Sequence, residues 1–294
     1  MPASIPTGAV IVDCAPGETV KIQGAGFGAS GSTVLQGQGA ASPPIGTLAL
    51  AQSLYSPTEI DVVIPDGAVS GNLLITAQDN STVTLPLRIG SKYITSADYV
   101  GEGMDVSRLA PGELDTIIRR ASTYCDLWIG HPARLLQTME PHRWNARTRK
   151  LWPFRLPIVS IDSLVIRMSP TQVATIHVTD VLTVSDRGYI EVLDFAVLAY
   201  SLSQVVMSFG YSANDVELTY TAGYTQLQYP DALRMATVLV VTELLTYRSM
   251  ATRGLAGLSS VQQGNQKYDR AGEPFAMPAP AKELLLPFRA RGIH

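Results

Sequence analysis

Two stretches, each headed by a proline and each carrying an apolar stripe at helical spacing, constrain this chain most. In the first, 115–130 with Pro111 ahead of it, Leu114, Ile117, Ile118, Ala121, Cys125 and Trp128 fall at offsets of 0, 3, 4, 7, 11 and 14. A period of 3.6 places them on one face, and Gly130 is a natural stop. In the second, 230–247, Pro230 and Asp231 open a helix whose stripe is Leu233, Ala236, Thr237, Val240, Leu244 and Tyr247. An acidic residue in a first turn is favourable there. Neither helix can hide its stripe alone. The two are therefore expected to pack together, with the long β-like region between them attached at one edge.

A length of 294 residues favours two domains, and 46% hydrophobic with 16% charged residues belongs to a well-folded globular chain. Cys14 and Cys125 lie far apart in sequence, and Cys125 sits on the helix stripe, so a buried thiol is expected there rather than a bridge or nucleophile. No apolar run reaches membrane length, and the opening MPASIPTGAV has no basic leader, so neither a membrane span nor a signal peptide is expected. The net charge of −3 argues against general nucleic-acid affinity, but the charge is unevenly spread. Residues 1–90 carry two basic and six acidic side chains, whereas 131–155 carry six basic and one acidic.

Residues 1–90 show short strand-like runs at 20–22, 33–35, 60–64, 72–76 and 82–89, separated by Gly, Pro, Asn and Asp. That is the spacing of a β-sandwich. Gly24, Gly26 and Gly28 surround Phe27, which is expected to plug the core while the glycines serve tight turns. Without a full glycine fingerprint or a following helix, this run is not a nucleotide site. The Gly/Ala/Pro-rich 37–47 is expected to be a loop. Thr95 and Asp98 form a capping pair for a short helix reaching about Glu102.

The segment 130–157 has few secondary-structure cues but holds Arg134, Arg143, Arg147, Arg149, Lys150 and Arg155 interleaved with Trp144, Trp152 and Phe154. Three readings stand. Arg and Trp are enriched at protein interfaces; the aromatics could form local core beneath solvated charges; or the pattern could stack and neutralise a nucleic acid. Strands are expected at 159–167, 175–178, 181–184, 189–192, 204–208 and 217–220, with a hairpin turn at Asp186 to Gly188. The Gly- and Gln-rich 253–274 is expected to be extended, with a short helix possible at 282–288.

No chemistry-bearing constellation emerges. His131, His142, His177 and His294 have no metal-ligand spacing, and neither H-E-x-x-H, C-x-x-C nor G-x-S-x-G occurs. Asp13, Glu18, Asp61 and Asp66 lack the EF-hand spacing for calcium. No catalytic, cofactor-binding or metal residues are expected, and the chain is not expected to be an enzyme.

Two resemblances add to this. VKIQGAGFG (20–28) and SPTEIDVVIPDGAVSGNLLITAQDN (56–80) resemble an IPT/TIG immunoglobulin-like domain, through Gly24, Gly26, Phe27 and Gly28, then Ile60, Val62, Ile64 and Pro65, then Gly67, Ser70 and Gly71. Such domains serve as spacers or binding modules. Residues 92–294 resemble the head–tail connector, or adaptor, family of tailed bacteriophages. The pieces are YITSADYV (93–100), LDTIIRRASTYCDLWIGHPA (114–133), LPIVSIDSLVIR (156–167), VELTYTAGYTQLQYPDALRMATVLVVTELLTYR (216–248) and ELLLPFRARG (283–292), in family order. Where members commonly place an arginine after the helix-ending glycine, this chain has His131, with Arg134 later.

The implied architecture is multidomain, β plus α+β. An Ig-like β-sandwich (1–90) precedes a helical adaptor domain (91–252) with a β insertion at about 156–222, and an extended C-terminal arm (253–294) follows. The resemblance implies a structural virion protein of the neck, assembled in the host cytoplasm. It would form a homo-oligomeric ring, twelvefold in the family, between the portal protein and a tail or stopper protein. DNA would pass through without sequence-specific binding. A sticky cationic wall would impede passage, so Arg143, Trp144, Arg147, Arg149, Lys150, Trp152 and Phe154 are placed at a subunit interface. Tyr268, Phe288, Arg289 and Arg291 are placed on a docking arm. Glu113, Asp115 and Glu243 are candidates for a polar face towards solvent or channel. The alternative, a surface adhesion or carbohydrate-binding protein, calls for an export signal and an aromatic platform in 1–90, where Phe27 and Tyr55 are the only aromatics.

Overall fold

The computed structural model describes residues 3–5, 12–38, 46–107, 109–143, 150–167, 173–176, 182–184, 188–192, 215–252, 260–263, 266–269 and 277–289. Packing separates two units. One is built mainly from Met1–Gly90 and Arg134–Thr225, the other from Ser91–Ala133 and Gln226–Arg289. The first ninety residues thus cluster with the β region. The helices, which flank that region in sequence, come together as a unit of their own.

In the first unit, β1 (Val12–Cys14), β8 (Thr82–Ile89), β7 (Gly71–Thr76), β3 (Ser32–Gln38) and β4 (Gly46–Ala49) form one sheet in that order, with β1 parallel to β8. A second sheet has the order β2 (Thr19–Gln23), β6 (Glu59–Val63), β5 (Ala51–Tyr55). Alternate residues point inward: Val20 and Ile22, Ile60 and Val62, Leu73 and Ile75, Leu85, Leu87 and Ile89 share one core with Phe27. Phe27 is fully buried, which contributes about 1.5–3 kcal/mol. Its seat requires Gly24, where an added Cβ would lie 2.4 Å from the Phe27 ring and 2.5 Å from the Ser4 carbonyl oxygen. The expected 37–47 loop is shorter than its composition suggests. Strand β3 runs to Gln38 and β4 begins at Gly46, because Gln38 anchors the end of β3 by bonding the Val69 backbone at 2.9 Å in both directions.

The rest of this unit is a four-stranded antiparallel sheet, β12 (Val173–Ile176), β11 (Ile158–Arg167), β15 (Asp215–Ala222), β9 (Leu136–Arg143). A small sheet of β10 (Lys150–Leu151), β14 (Ile190–Val192) and β13 (Leu182–Val184) accompanies it. Strand β9 lies in a segment that offered few cues; pairing with β15 along its whole length supplies the hydrogen bonds that its polar side chains do not advertise. The expected strand at 204–208 and Asp186 of the expected turn lie outside the described residues.

The second unit holds α1 (Ser96–Gly101), α2 (Glu113–Ile129), α3 (Asp231–Thr252) and α4 (Ala279–Leu285), with the hairpin β16 (Ser260–Gln263) and β17 (Gln266–Asp269). Helix α1 starts with the expected reciprocal cap between Thr95 and Asp98. Helices α2 and α3 pack through their stripes and run antiparallel: Glu113 pairs with Arg248 at one end, and Cys125 Sγ lies 3.8 Å from Thr237 Oγ1 further along. Ile129 rather than Trp128 takes the last fully buried place on α2. The described part of the C-terminal stretch is not an extended arm. Helix α4 folds back because Ala281 and Leu285 are fully buried, and Lys282 and Arg289 lie over the Trp128 ring at 5.2 and 5.3 Å. No helix among the described residues is long and apolar enough to cross a membrane.

Candidate subunit interface

In the first unit, the structure divides the basic–aromatic segment between inward and outward roles. Arg134 and Arg155 are buried. Arg134 donates from Nη1 to the Ala68 carbonyl at 2.6 Å and from Nη2 to the Ile89 carbonyl at 3.2 Å. Its own carbonyl accepts from Arg155 Nη2 at 3.1 Å, while Arg155 Nη1 donates to Thr138 Oγ1 at 2.6 Å. These arginines tie the sandwich to the four-stranded sheet.

Beside them Glu140 is buried on β9 and accepts from three donors. Tyr220 Oη approaches Oε1 at 2.5 Å, the Phe154 backbone N–H reaches Oε2 at 3.0 Å, and His142 Nε2 lies 3.2 Å from Oε2. Burial alone would raise the Glu140 pKa, but the bonds from His142, Tyr220 and Phe154 outweigh it and hold the carboxyl below its usual range. Tyr220 is pushed upward, by burial first and by the Glu140 carboxylate second. This arrangement pins strands together and leaves no acid–base pair open to a substrate.

Phe154 is half-buried and stacks on His142 with centroids 5.4 Å apart. Trp152 faces outward at 48% exposure beside Tyr189, 5.1 Å between centroids, and Lys150 Nζ lies 4.3 Å over the Tyr189 ring. The backbone of Arg143 ends β9. Trp144, Arg147 and Arg149 lie outside the described residues, as does Arg291. Of the remaining arm residues, Tyr268 is placed on β17 opposite Val261, Phe288 is half-buried, and Arg289 packs on Trp128.

In the second unit, a groove of about 800 Å³ opens between the N-terminal half of α2 and the C-terminal half of α3. Ile117, Leu244, Tyr124 and Tyr247 give it an apolar floor and walls. Arg120, Glu113 and Arg248 edge it. On α2 the groove residues Glu113, Thr116, Ile117, Arg120 and Tyr124 fall at helical spacing on a face beside the buried stripe and share only Ile117 with it, whereas Leu244 and Tyr247 belong to the α3 stripe. Glu113 and Asp115 do not form a free polar face. Glu113 accepts from the Ala110 N–H at 3.1 Å and pairs with Arg248, and these two, in that order, lower its pKa. Asp115 is raised by partial burial but lowered further by Ser96 at 2.6 Å and Lys92 at 3.1 Å.

Sequence reasoning passed over Leu227. It stands on the 3-10 turn Gln226–Gln228 just before α3 with 91% of its surface exposed. The only signal was a lone leucine between two glutamines ahead of Pro230, with no apolar partner in period. The same unit exposes Leu127, at 72%, along with Tyr124, Met235, Leu286 and Val100.

Both cysteines are free and buried, and burial pushes the Cys125 thiol up to about 12. Among the described residues no group of three or more His, Cys, Asp and Glu side chains could hold a metal. His177 and His294 lie outside the described residues.

Among solved structures, the chain is similar to one from the neck of an empty GTA particle computed with C6 symmetry, at 14% identity and a TM-score of 0.39, over 69% of this chain and 92% of that one. It is also similar to a DUF4784 family protein from Bacteroides caccae, at 15% identity and a TM-score of 0.23, over 30% of this chain and 23% of that one. A third is SGBP-B of the Bacteroides ovatus mixed-linkage glucan utilization locus, in complex with a mixed-linkage heptasaccharide. It shows 11% identity and a TM-score of 0.22, over 73% of this chain and 50% of that one. No family model and no curated protein matches the chain.

Proposed function

We propose that this protein is a structural component of a virion neck: a head–tail adaptor that forms a homo-oligomeric ring between portal and tail and continues the DNA channel. The observation that carries the reading is the make-up of the helical unit. Two antiparallel helices hide one stripe each and still leave an open apolar groove, while the same small unit exposes Leu127, Leu227, Met235 and Leu286. An open groove and several exposed leucines on one small unit support a protein-contact role for it. The resemblance of 92–294 to the connector family agrees in element order, with α1, α2, the β region and a proline-headed α3 in sequence.

In this reading the ring is twelvefold, as in the family, and meets the portal protein on one side and a tail or stopper protein on the other. DNA passes without sequence-specific contact, and the protein has no catalytic role. The surface around Lys150, Trp152 and Tyr189 serves as a contact on the first unit. The IPT/TIG-like sandwich faces outward, and its acidic balance suits a basic neighbour. Assembly takes place in the host cytoplasm. Deleting the coding sequence from the producing strain tests this: the expected result is DNA-packaged heads without tails, and normal tailed particles would refute it.

A further inference from the structure

The helical unit carries two unmatched features at opposite ends of α3. At the start, Leu227 is 91% exposed, and Asp231, also exposed, follows four residues later. The Asp231 carboxylate has no partner among the described residues. Towards the other end, Leu244, Tyr247 and Arg248 join α2 in lining the groove. A rise of 1.5 Å per residue puts Leu244 about 20 Å along the helix from Asp231. Arg120, on the groove edge, is exposed and has no hydrogen-bond or ion-pair partner among the described residues, whereas Arg248 is already paired with Glu113.

Burying an exposed leucine side chain is favourable, and the apolar part of the groove, Ile117 and Leu244 between two tyrosines, offers it cover. Within one copy they cannot meet, because the length of α3 holds them apart. We propose that Leu227 of one copy seats in the α2–α3 groove of the next copy, with Asp231 of the first pairing with Arg120 of the second.

The charges match across this contact, and knob and groove are different patches. The contact is therefore heterologous: each copy gives a knob and receives one, and repetition closes a ring if the rotation per step allows. Glu113 and Arg248 neutralise each other at the rim, which leaves Arg120 as the charge that orients the incoming turn. The inference rests on the ring reading above and names the contact that would build the ring.

Sedimentation velocity of the full chain over a concentration series provides the test. It would compare the wild type with Leu227→Asp, Arg120→Asp, Asp231→Arg and the double charge swap. The wild type is expected to self-associate. Leu227→Asp should weaken association roughly ten- to a hundredfold. Each single charge change should weaken it too, and the double swap should recover most of the loss. All three altered positions are exposed, so melting temperatures close to wild type confirm that folding is intact. The contact is overturned by a wild type that stays monomeric, by Leu227→Asp associating like wild type, or by a double swap without recovery. Rings seen in particles alongside normal association of Leu227→Asp would sink this contact and leave the adaptor reading standing. Absence of any ring would remove both.

Discussion

Replacing Arg134 with alanine should loosen the first unit more than any surface change nearby. The side chain is buried and donates two charge-assisted hydrogen bonds, to Ala68 and Ile89 of the sandwich. Its removal takes the guanidinium from the Ala68 carbonyl and leaves the Ile89 carbonyl with the Ser70 hydroxyl at 3.5 Å. At 1.5–3 kcal/mol for each bond from a charged donor, the loss is about 3–6 kcal/mol. Arg134→Lys can keep one donor but cannot span both carbonyls, so it should lose about half as much. The backbone carbonyl that receives Arg155 is unchanged in both variants, which confines the effect to the guanidinium. Urea denaturation followed by circular dichroism gives the magnitude. Hydrogen exchange should place it at the β8 end near Ile89. An alanine variant within about 1 kcal/mol of wild type, with unchanged exchange there, would show that the guanidinium does not hold the sandwich.

Acid should act through Glu140. Its folded pKa lies below the unfolded value of about 4.3, so its contribution is present above that value and is lost as pH falls through the folded one. Glu140→Gln should lower the urea midpoint at neutral pH and flatten the loss as pH falls below the unfolded value of about 4.3; parallel acid limbs for the two proteins would contradict this. The thiols should be silent in the native state: Cys125 is buried with its pKa near 12 and Cys14 is buried as well. Ellman's reagent at pH 8 should label them only on denaturation, and rapid labelling of either in the folded protein would count against the packing described.

The helices were legible because their signal is local. A stripe at 3.6 spacing needs no knowledge of the partner, and α2 and α3 fell where Leu114 to Cys125 and Leu233 to Val240 placed them. The last turn of α2 was ambiguous because Trp128 and Ile129 flank the stripe on either side, and only the return of α4 over Trp128 decides between them. Strands β4 and β5 were not visible because they are short edge strands in which no residue is fully buried. Strand β9 was hidden for a different reason. Its Glu140 is buried only because Tyr220, 80 residues away, arrives to bond it. The same holds for Arg134: a basic run reads as surface until two distant carbonyls are brought to it. Only Ile117, Leu244 and Tyr247 of the groove lay on the stripes; its other α2 residues and Leu227 carried no such signal, since grooves and exposure are properties of the assembled unit.

Reconstruction of the intact particle neck is the decisive check on the proposed ring around a DNA channel. Copies of this chain should be arranged about the particle axis below the portal, with the helical units in contact from copy to copy. Density for this chain as isolated monomers away from the axis, or its absence from the neck of purified particles, would contradict it.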